Sequence, residues 1–233
     1  MKLGLPDRIR AVLFDLDGVL TQTAKVHARA WKEMFDDYLR ERPEPQAPFT
    51  LPHDYDEYVD GKPRLDGVRS FLESRGIEPE PELVERLGTR KNELVLSLIR
   101  EQGVEPYDGS VRYVEAAREH GLPQAVVSSS NNAREVLEAA GLIDYFDEIV
   151  DGRVAEREGF RGKPAPDGFL AGARALGVEP AEAAVFEDAL AGVEAGRAGD
   201  FGFVVGVDRT GQADKLRERG AYIVVRDLAE LQE

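Results

Sequence analysis

Short apolar runs alternate with amphipathic stretches through the last two-thirds of this chain. The runs Ala11–Phe14, Gln124–Val127, Glu148–Val150, Ala183–Phe186, Phe201–Val207 and Tyr222–Val225 predict strands. Helical spacing fills the intervals at Val111–His120, Ala133–Ala140, Gly168–Leu176, Leu190–Ala198 and Ala213–Arg219. In the third of these, Phe169, Leu170, Ala173 and Leu176 share one face and Gly177 follows as a stop. Strands alternating with helices of this length form βαβ units around a parallel sheet, so the expected class is α/β with a Rossmann-like core.

Residues 23–105 carry a different pattern. Lys25–Leu39 is helical, with Trp31, Phe35 and Leu39 four apart and Ala24, His27 and Met34 beside that stripe. A proline-rich loop from Pro43 to Pro52 ends it, and helical stretches follow at Gly67–Glu73, Glu80–Leu87 and Arg90–Gln102. No strand pattern interrupts them. The expected organisation is an α/β core from residues 1–22 and 106–233, with 23–105 inserted as an all-helical domain.

Composition narrows the function. At 233 residues the chain can bury one core plus a satellite. No apolar stretch approaches the ~20 residues that cross a bilayer. Asp7, Arg8 and Arg10 interrupt the first segment, which is no signal peptide, so a cytoplasmic protein is expected. Without cysteine there is no disulfide or thiolate chemistry. A net charge of −15 weighs against nucleic acid as a partner. It also obliges a site for a small anionic substrate to supply its own positive charge, from a divalent metal or a few basic side chains. The expected partner is a small molecule, with no membrane and no second subunit.

The chemically loaded residues fall at strand ends, where ligands bind in open parallel sheets. Asp15 and Asp17, in Asp15-Leu16-Asp17-Gly18-Val19, end the first strand. Ser128, in Ser128-Ser129-Ser130-Asn131-Asn132, ends the second. Glu187 and Asp188 follow Ala183–Phe186, and Lys163 opens Lys163-Pro164-Ala165-Pro166-Asp167 in a loop after Glu148–Val150. Each alone is an ordinary helix cap or solvated charge; four in order are hard to assign to chance. One carboxylate can attack phosphorus while a second moves a proton. Mg²⁺ on Asp15, Glu187 and Asp188 would remove the repulsion between carboxylate and phosphoryl group, with Lys163 and the Ser128 hydroxyl on the remaining oxygens.

The ordered set DLDGV, SSSNN, KPAPD and FEDALAGVEAG, from Ala11 to Gly196, resembles the haloacid dehalogenase superfamily of phosphoryl-transfer enzymes. That resemblance implies Asp15 as a nucleophile forming an aspartyl-phosphate, and Asp17 as acid/base with its main-chain carbonyl on Mg²⁺. It further implies Ser128 and Lys163 as phosphate holders, Glu187 and Asp188 as metal ligands, and residues 23–105 as a cap. Within the superfamily the chain is most similar to the β-phosphoglucomutase family. Thr23–Trp31 resembles that family's hinge and first cap helix, which implicates His27 and Trp31 in substrate binding. Gly61-Lys62-Pro63-Arg64 resembles the cap loop whose arginine grips the non-reacting phosphate, and Lys91 the lysine facing the sugar. Ser130, Asn131 and Asn132 match positions that touch substrate from the core.

The implied reaction interconverts β-glucose 1-phosphate and glucose 6-phosphate through a bisphosphate. A sugar-phosphate phosphatase of the same fold is the alternative. Two departures bear on it: Gln22 stands at a hinge position commonly held by aspartate, and Asn131 where lysine is frequent. The charged stretch Asp151–Gly162 has no assigned role.

Overall fold

The computed structural model describes residues 2–44 and 46–232. Within these, six strands form one all-parallel sheet in the order β3-β2-β1-β4-β5-β6. The strands are β1 (Ala11–Phe14), β2 (Gln124–Val127), β3 (Glu148–Val150), β4 (Ala183–Glu187), β5 (Phe203–Val207) and β6 (Ile223–Val225). β1 is central and apolar at every position, as a strand covered on both faces must be. Val12 and Phe14 point to the face covered by α4 (Asp108–Glu119) and α5 (Ala133–Ala139). Ala11 and Leu13 point to the face covered by α7 (Asp167–Ala175), α8 (Leu190–Ala198) and α9 (Ala213–Arg219). Phe14 lies opposite Phe186 in the ladder and stacks on it at 4.6 Å. The strand order reverses at β1, between β2 and β4, which brings the loops leaving all three to one crevice.

The inserted segment builds α1 (Ala24–Arg40), α2 (Arg64–Ser74) and α3 (Pro81–Gln102). Its own aromatic core joins Trp31, Phe35, Phe49 and Phe71, with Phe35 4.1 Å from Phe71 and 5.3 Å from Trp31. The two connections to the sheet run side by side: Gln22 N–H donates to Glu105, and Tyr107 N–H to Leu20. No helix among the described residues is long and apolar enough to cross a membrane.

Several elements differ from the sequence expectation. Glu80–Leu87 and Arg90–Gln102 are one helix, α3, which runs through Gly88. A side chain there would press into Leu65 of α2, so the glycine serves helix packing rather than a break. Residues 55–59 form a single π-helical turn where no helix was expected, shortly after the proline-rich loop, of which Pro45 lies outside the described residues. The charged stretch after β3 holds a short helix, α6 (Gly152–Glu158), started by the Asp151 carboxylate accepting Val154 N–H and stopped by left-handed Gly159. β5 begins at Phe203, because Gly202 N–H is committed to Pro180 and Phe201 turns into the core against Phe169.

Candidate active site

Asp15 follows the last residue of β1 and stays registered to the sheet through its N–H, which donates to Phe186. Its buried carboxylate meets Lys163, delivered by the loop before α7. The lysine Nζ donates to Asp15 Oδ1 and Glu187 Oε1, both at 2.5 Å, and to the Val127 carbonyl at 3.2 Å. Burial opposes the ammonium, yet the two carboxylates hold its pKa above the ordinary lysine value. Burial also raises Asp15, against the pull of Lys163, and lifts Glu187 to about 7.

Asp15, Glu187 and Asp188 offer oxygens within 4.8 Å of one another, all buried. Glu187 Oε2 accepts the Ala189 N–H at 2.9 Å. Asp188 has no hydrogen-bond donor to its carboxylate among the described residues, and burial with the charges of Asp60, Glu187, Asp15 and Asp17 pushes its pKa well up. A buried, donorless carboxylate in an anionic crevice fits a small hard cation, and the all-oxygen donor set is that of a magnesium-type ion. The site packs tightly: Gly18 (φ +87°) has no room for a Cβ because the Asp188 carboxylate occupies that place.

Asp17 sits outside the acidic triplet by its side chain. Its Oδ1 accepts from the Thr23 hydroxyl, and His27 Nε2 lies 3.6 Å away. Burial raises its pKa, with the Thr23 hydrogen bond opposing. His27 Nδ1 is 2.9 Å from Lys91 Nζ, which lies 4.8 Å over the ring of Trp31. Burial, with Arg64 nearby and Asp17 opposing, lowers Lys91 to about 7. Burial and the Lys91 charge hold His27 well below the ordinary histidine range.

One cavity of about 70 Å³ separates the sheet end from the helices, lined by Asp15, Asp17, Ser128 and Asp188 on one side and His27, Trp31, Arg64 and Lys91 on the other. Gly61, Lys62, Ser130, Asn131 and Asn132 line it too. Lys163 and Glu187 stand behind Asp15 rather than in the wall. Ser128 Oγ accepts the Ser130 N–H, which leaves its proton free to donate into the cavity. Trp31 does double service, since one face stacks on Phe35 within the helical core. Lys62 Nζ is occupied by Ser70 Oγ at 2.9 Å, within the helical unit. Gly61 (φ +70°) brings its carbonyl to the Ser129 hydroxyl at 2.8 Å, and a Cβ there would stand 2.9 Å from Ala189. Asn132 Nδ2 donates to Asn92 at 3.0 Å, a second bridge between sheet and helices.

Gln22 lines a separate surface cleft with Glu105, Tyr107 and Asp227, away from Asp17. Asn131 donates to Glu156 of α6, so the charged stretch after β3 borders the site. Sequence reasoning missed Asp60, Tyr55 and Asn92 on the cavity wall. Asp60 is lifted to about 8 by burial and the neighbouring carboxylates, Glu187 foremost. It lies in an irregular segment with no apolar period, and its only signal is adjacency to the Gly61-Lys62-Pro63-Arg64 loop.

Comparison with known proteins agrees with this geometry. Residues 9–200 match the model of the haloacid dehalogenase-like hydrolases. A β-phosphoglucomutase of Mycobacterium bovis is 55% identical over 98% of this chain and 94% of its own length. A β-phosphoglucomutase of Bacillus subtilis is 33% identical over 96% of this chain and 92% of its own. The crystal structure of β-phosphoglucomutase from Clostridium difficile superposes with a TM-score of 0.78 at 28% identity, covering 96% of this chain and 93% of that one. The chain thus belongs to the haloacid dehalogenase-like hydrolase family, and is an enzyme of its β-phosphoglucomutase branch.

Proposed function

We infer that this enzyme interconverts β-D-glucose 1-phosphate and D-glucose 6-phosphate through an aspartyl-phosphate and a bisphosphate intermediate. The observation that carries the reading is a cavity with an anion-receiving group at each end. Asp15 and Ser128 line the sheet end, with Lys163 on the carboxylate of Asp15 behind them, and Arg64 lines the cap side with a buried Nε that has no hydrogen-bond partner among the described residues. A phosphatase needs only the first of these; a mutase must hold a second phosphate remote from the one that moves.

In one half-reaction Asp15 Oδ2, the oxygen that Lys163 does not hold, attacks one phosphorus of the sugar bisphosphate. The bond from phosphorus to the sugar oxygen breaks, and Asp17 gives that oxygen its proton. The raised pKa of Asp17 suits a group that begins protonated. In the other half-reaction Asp17 takes a proton from the free hydroxyl of a sugar monophosphate, which attacks the phosphoryl group on Asp15; the bond from phosphorus to Asp15 breaks and the bisphosphate forms. Ser128 and Lys163 hold the phosphoryl oxygens throughout. A magnesium ion on Asp15, Glu187, Asp188 and the Asp17 carbonyl would supply shielding between carboxylate and phosphate. On the cap side, Arg64 orients the distal phosphate as a planar fork, and Lys91, Ser130, Asn131 and Asn132 meet the sugar. Closure of the cap over residues 128–132 keeps out the water that would hydrolyse the phospho-enzyme.

Phosphorus NMR tests this directly. With magnesium, β-glucose 1-phosphate and a trace of the bisphosphate, the expected product is glucose 6-phosphate. Accumulation of inorganic phosphate alone would replace the mutase reading by the phosphatase one.

A further inference from the structure

The four chemical motifs make no use of the strand end at β5, where residues 208–212 form the connecting loop. That loop is built to be stiff. Asp208 Oδ1 accepts the N–H groups of Thr210, Gly211 and Gln212 at 3.3, 2.7 and 2.8 Å. From this turn two side chains reach the acid-bearing loops of the site. Gln212 Nε2 donates to the main-chain carbonyl of Asp188 at 3.2 Å. Arg209 Nε donates to the carbonyl of Gly18 at 2.8 Å, and its Nη2 to Val19 at 3.5 Å. Its Nη1 donates to the Arg226 carbonyl at 2.6 Å and stands 3.7 Å from the Asp227 carboxylate. The guanidinium lies 3.6 Å over the ring of Tyr107, on the segment that returns from the cap. The arginine side chain is 15% exposed.

Gly18 and Val19 directly follow Asp17, in a turn packed so closely on Asp188 that Gly18 has no space for a Cβ. The turn thus joins the main chain next to Asp17 to the packing of the Asp188 carboxylate. The Gly18 carbonyl is held by Arg209 from across the sheet, 191 residues away in sequence. We propose that Arg209 is a positioning residue for phosphoryl transfer, clamping the Gly18–Val19 turn so that Asp17 stays aimed at the reacting oxygen. The role calls for arginine. Three carbonyls on two segments need a rigid planar fork that also stacks on Tyr107, and lysine offers a single mobile donor centre. The proposal rests on Asp17 as the acid/base and is independent of which sugar is turned over.

The test compares Arg209→Ala and Arg209→Lys with wild type, on β-glucose 1-phosphate and on p-nitrophenyl phosphate, with melting temperature followed for each. Misplacing Asp17 is expected to lower kcat of Arg209→Ala by ~10- to 100-fold on both substrates: on the sugar phosphate through the leaving and attacking oxygens, and on p-nitrophenyl phosphate, whose leaving group needs no proton, through the water that clears the phospho-enzyme. Added guanidinium ion should restore part of that kcat, and Arg209→Lys should fall between. A folded Arg209→Ala with unchanged kcat would overturn the proposal. So would wild-type kcat in Arg209→Lys, or a loss of kcat that guanidinium leaves untouched, because either removes the need for the fork. If wild type hydrolyses p-nitrophenyl phosphate but fails to isomerise the sugar phosphate, the mutase reading falls while the Arg209 comparison stands.

Discussion

At the sheet end of the cavity, the ammonium of Lys163 is shared by Asp15 and Glu187 at 2.5 Å each, and Glu187 closes its second oxygen on a backbone N–H. Across the cavity the helices present the opposite picture. Among the described residues, Arg64 Nε and His27 Nε2 are buried without a hydrogen-bond partner. Lys91 is 5% exposed and, among the described residues, hydrogen-bonds to one histidine nitrogen and lies over the face of Trp31, with the Asp17 and Arg64 charges near it. Buried polar atoms in folded proteins are nearly always satisfied, and an unsatisfied one costs ~1–3 kcal/mol. The contrast teaches a division of labour. On the proposed mechanism, the groups assigned to the reaction hold one another in place without substrate, whereas the groups assigned to recognition lack the partners that an anion would supply.

Substitutions on each side should break differently. Asp15→Asn keeps the shape of the sheet end and removes the proposed nucleophile, so kcat is expected to fall by at least ~10⁴-fold, with circular dichroism unchanged. Residual turnover near wild type would show that the pre-built end does not carry the reaction. Arg64→Ala strikes the waiting end. It should lower kcat/KM for the sugar phosphate by ~10- to 100-fold, as expected for losing a charge-assisted hydrogen bond. Turnover of p-nitrophenyl phosphate, which has no distal phosphate, should stay within about twofold. Equal losses on both substrates would dissolve the division.

The smallest effect concerns Lys91 without ligand. Its pKa falls from 10.5 unfolded to about 7 folded, because burial disfavours the ammonium. Between those values the unfolded chain binds more protons than the native one. Stability should therefore rise with pH from about 7 to 10.5, and the full penalty of the buried charge applies below that window. The slope contributed is at most ~1.4 kcal/mol per pH unit. Urea melts across this range should show it in wild type and lose it in Lys91→Met.

Much of the sheet was legible because a strand buried on both faces leaves a continuous apolar run: Ala11–Phe14 and Gln124–Val127 have those bounds in the structure. The acidic and serine motifs were legible for a related reason, since each sits one step beyond such a run. The helical unit was harder. The expected helices Glu80–Leu87 and Arg90–Gln102 are continuous, because packing of Gly88 against Leu65 and Arg64 overrides its poor helix propensity. Tyr55 sits on a π-helical turn, and Asp60 just past its end, in a stretch with no hydrophobic period to mark it. The helix in the charged stretch after β3 did carry signals, Asp151 as N-cap and Gly159 as stop, within a segment too polar to draw notice. Arg209 was beyond reach, because its partners at Gly18 and Tyr107 are neighbours only in three dimensions.

The place of β1 at the centre of the sheet has a consequence for the order in which the chain comes together during synthesis. Ala11–Phe14 leaves the ribosome first, yet one ladder partner begins at Gln124 and the other at Ala183. Meanwhile α1 to α3 are contiguous and can bury Phe35 against Phe71 as soon as they emerge. A naked apolar strand thus waits through most of translation beside a helical bundle already formed, and nascent chains cut short before Ala183 are the ones most exposed to aggregation.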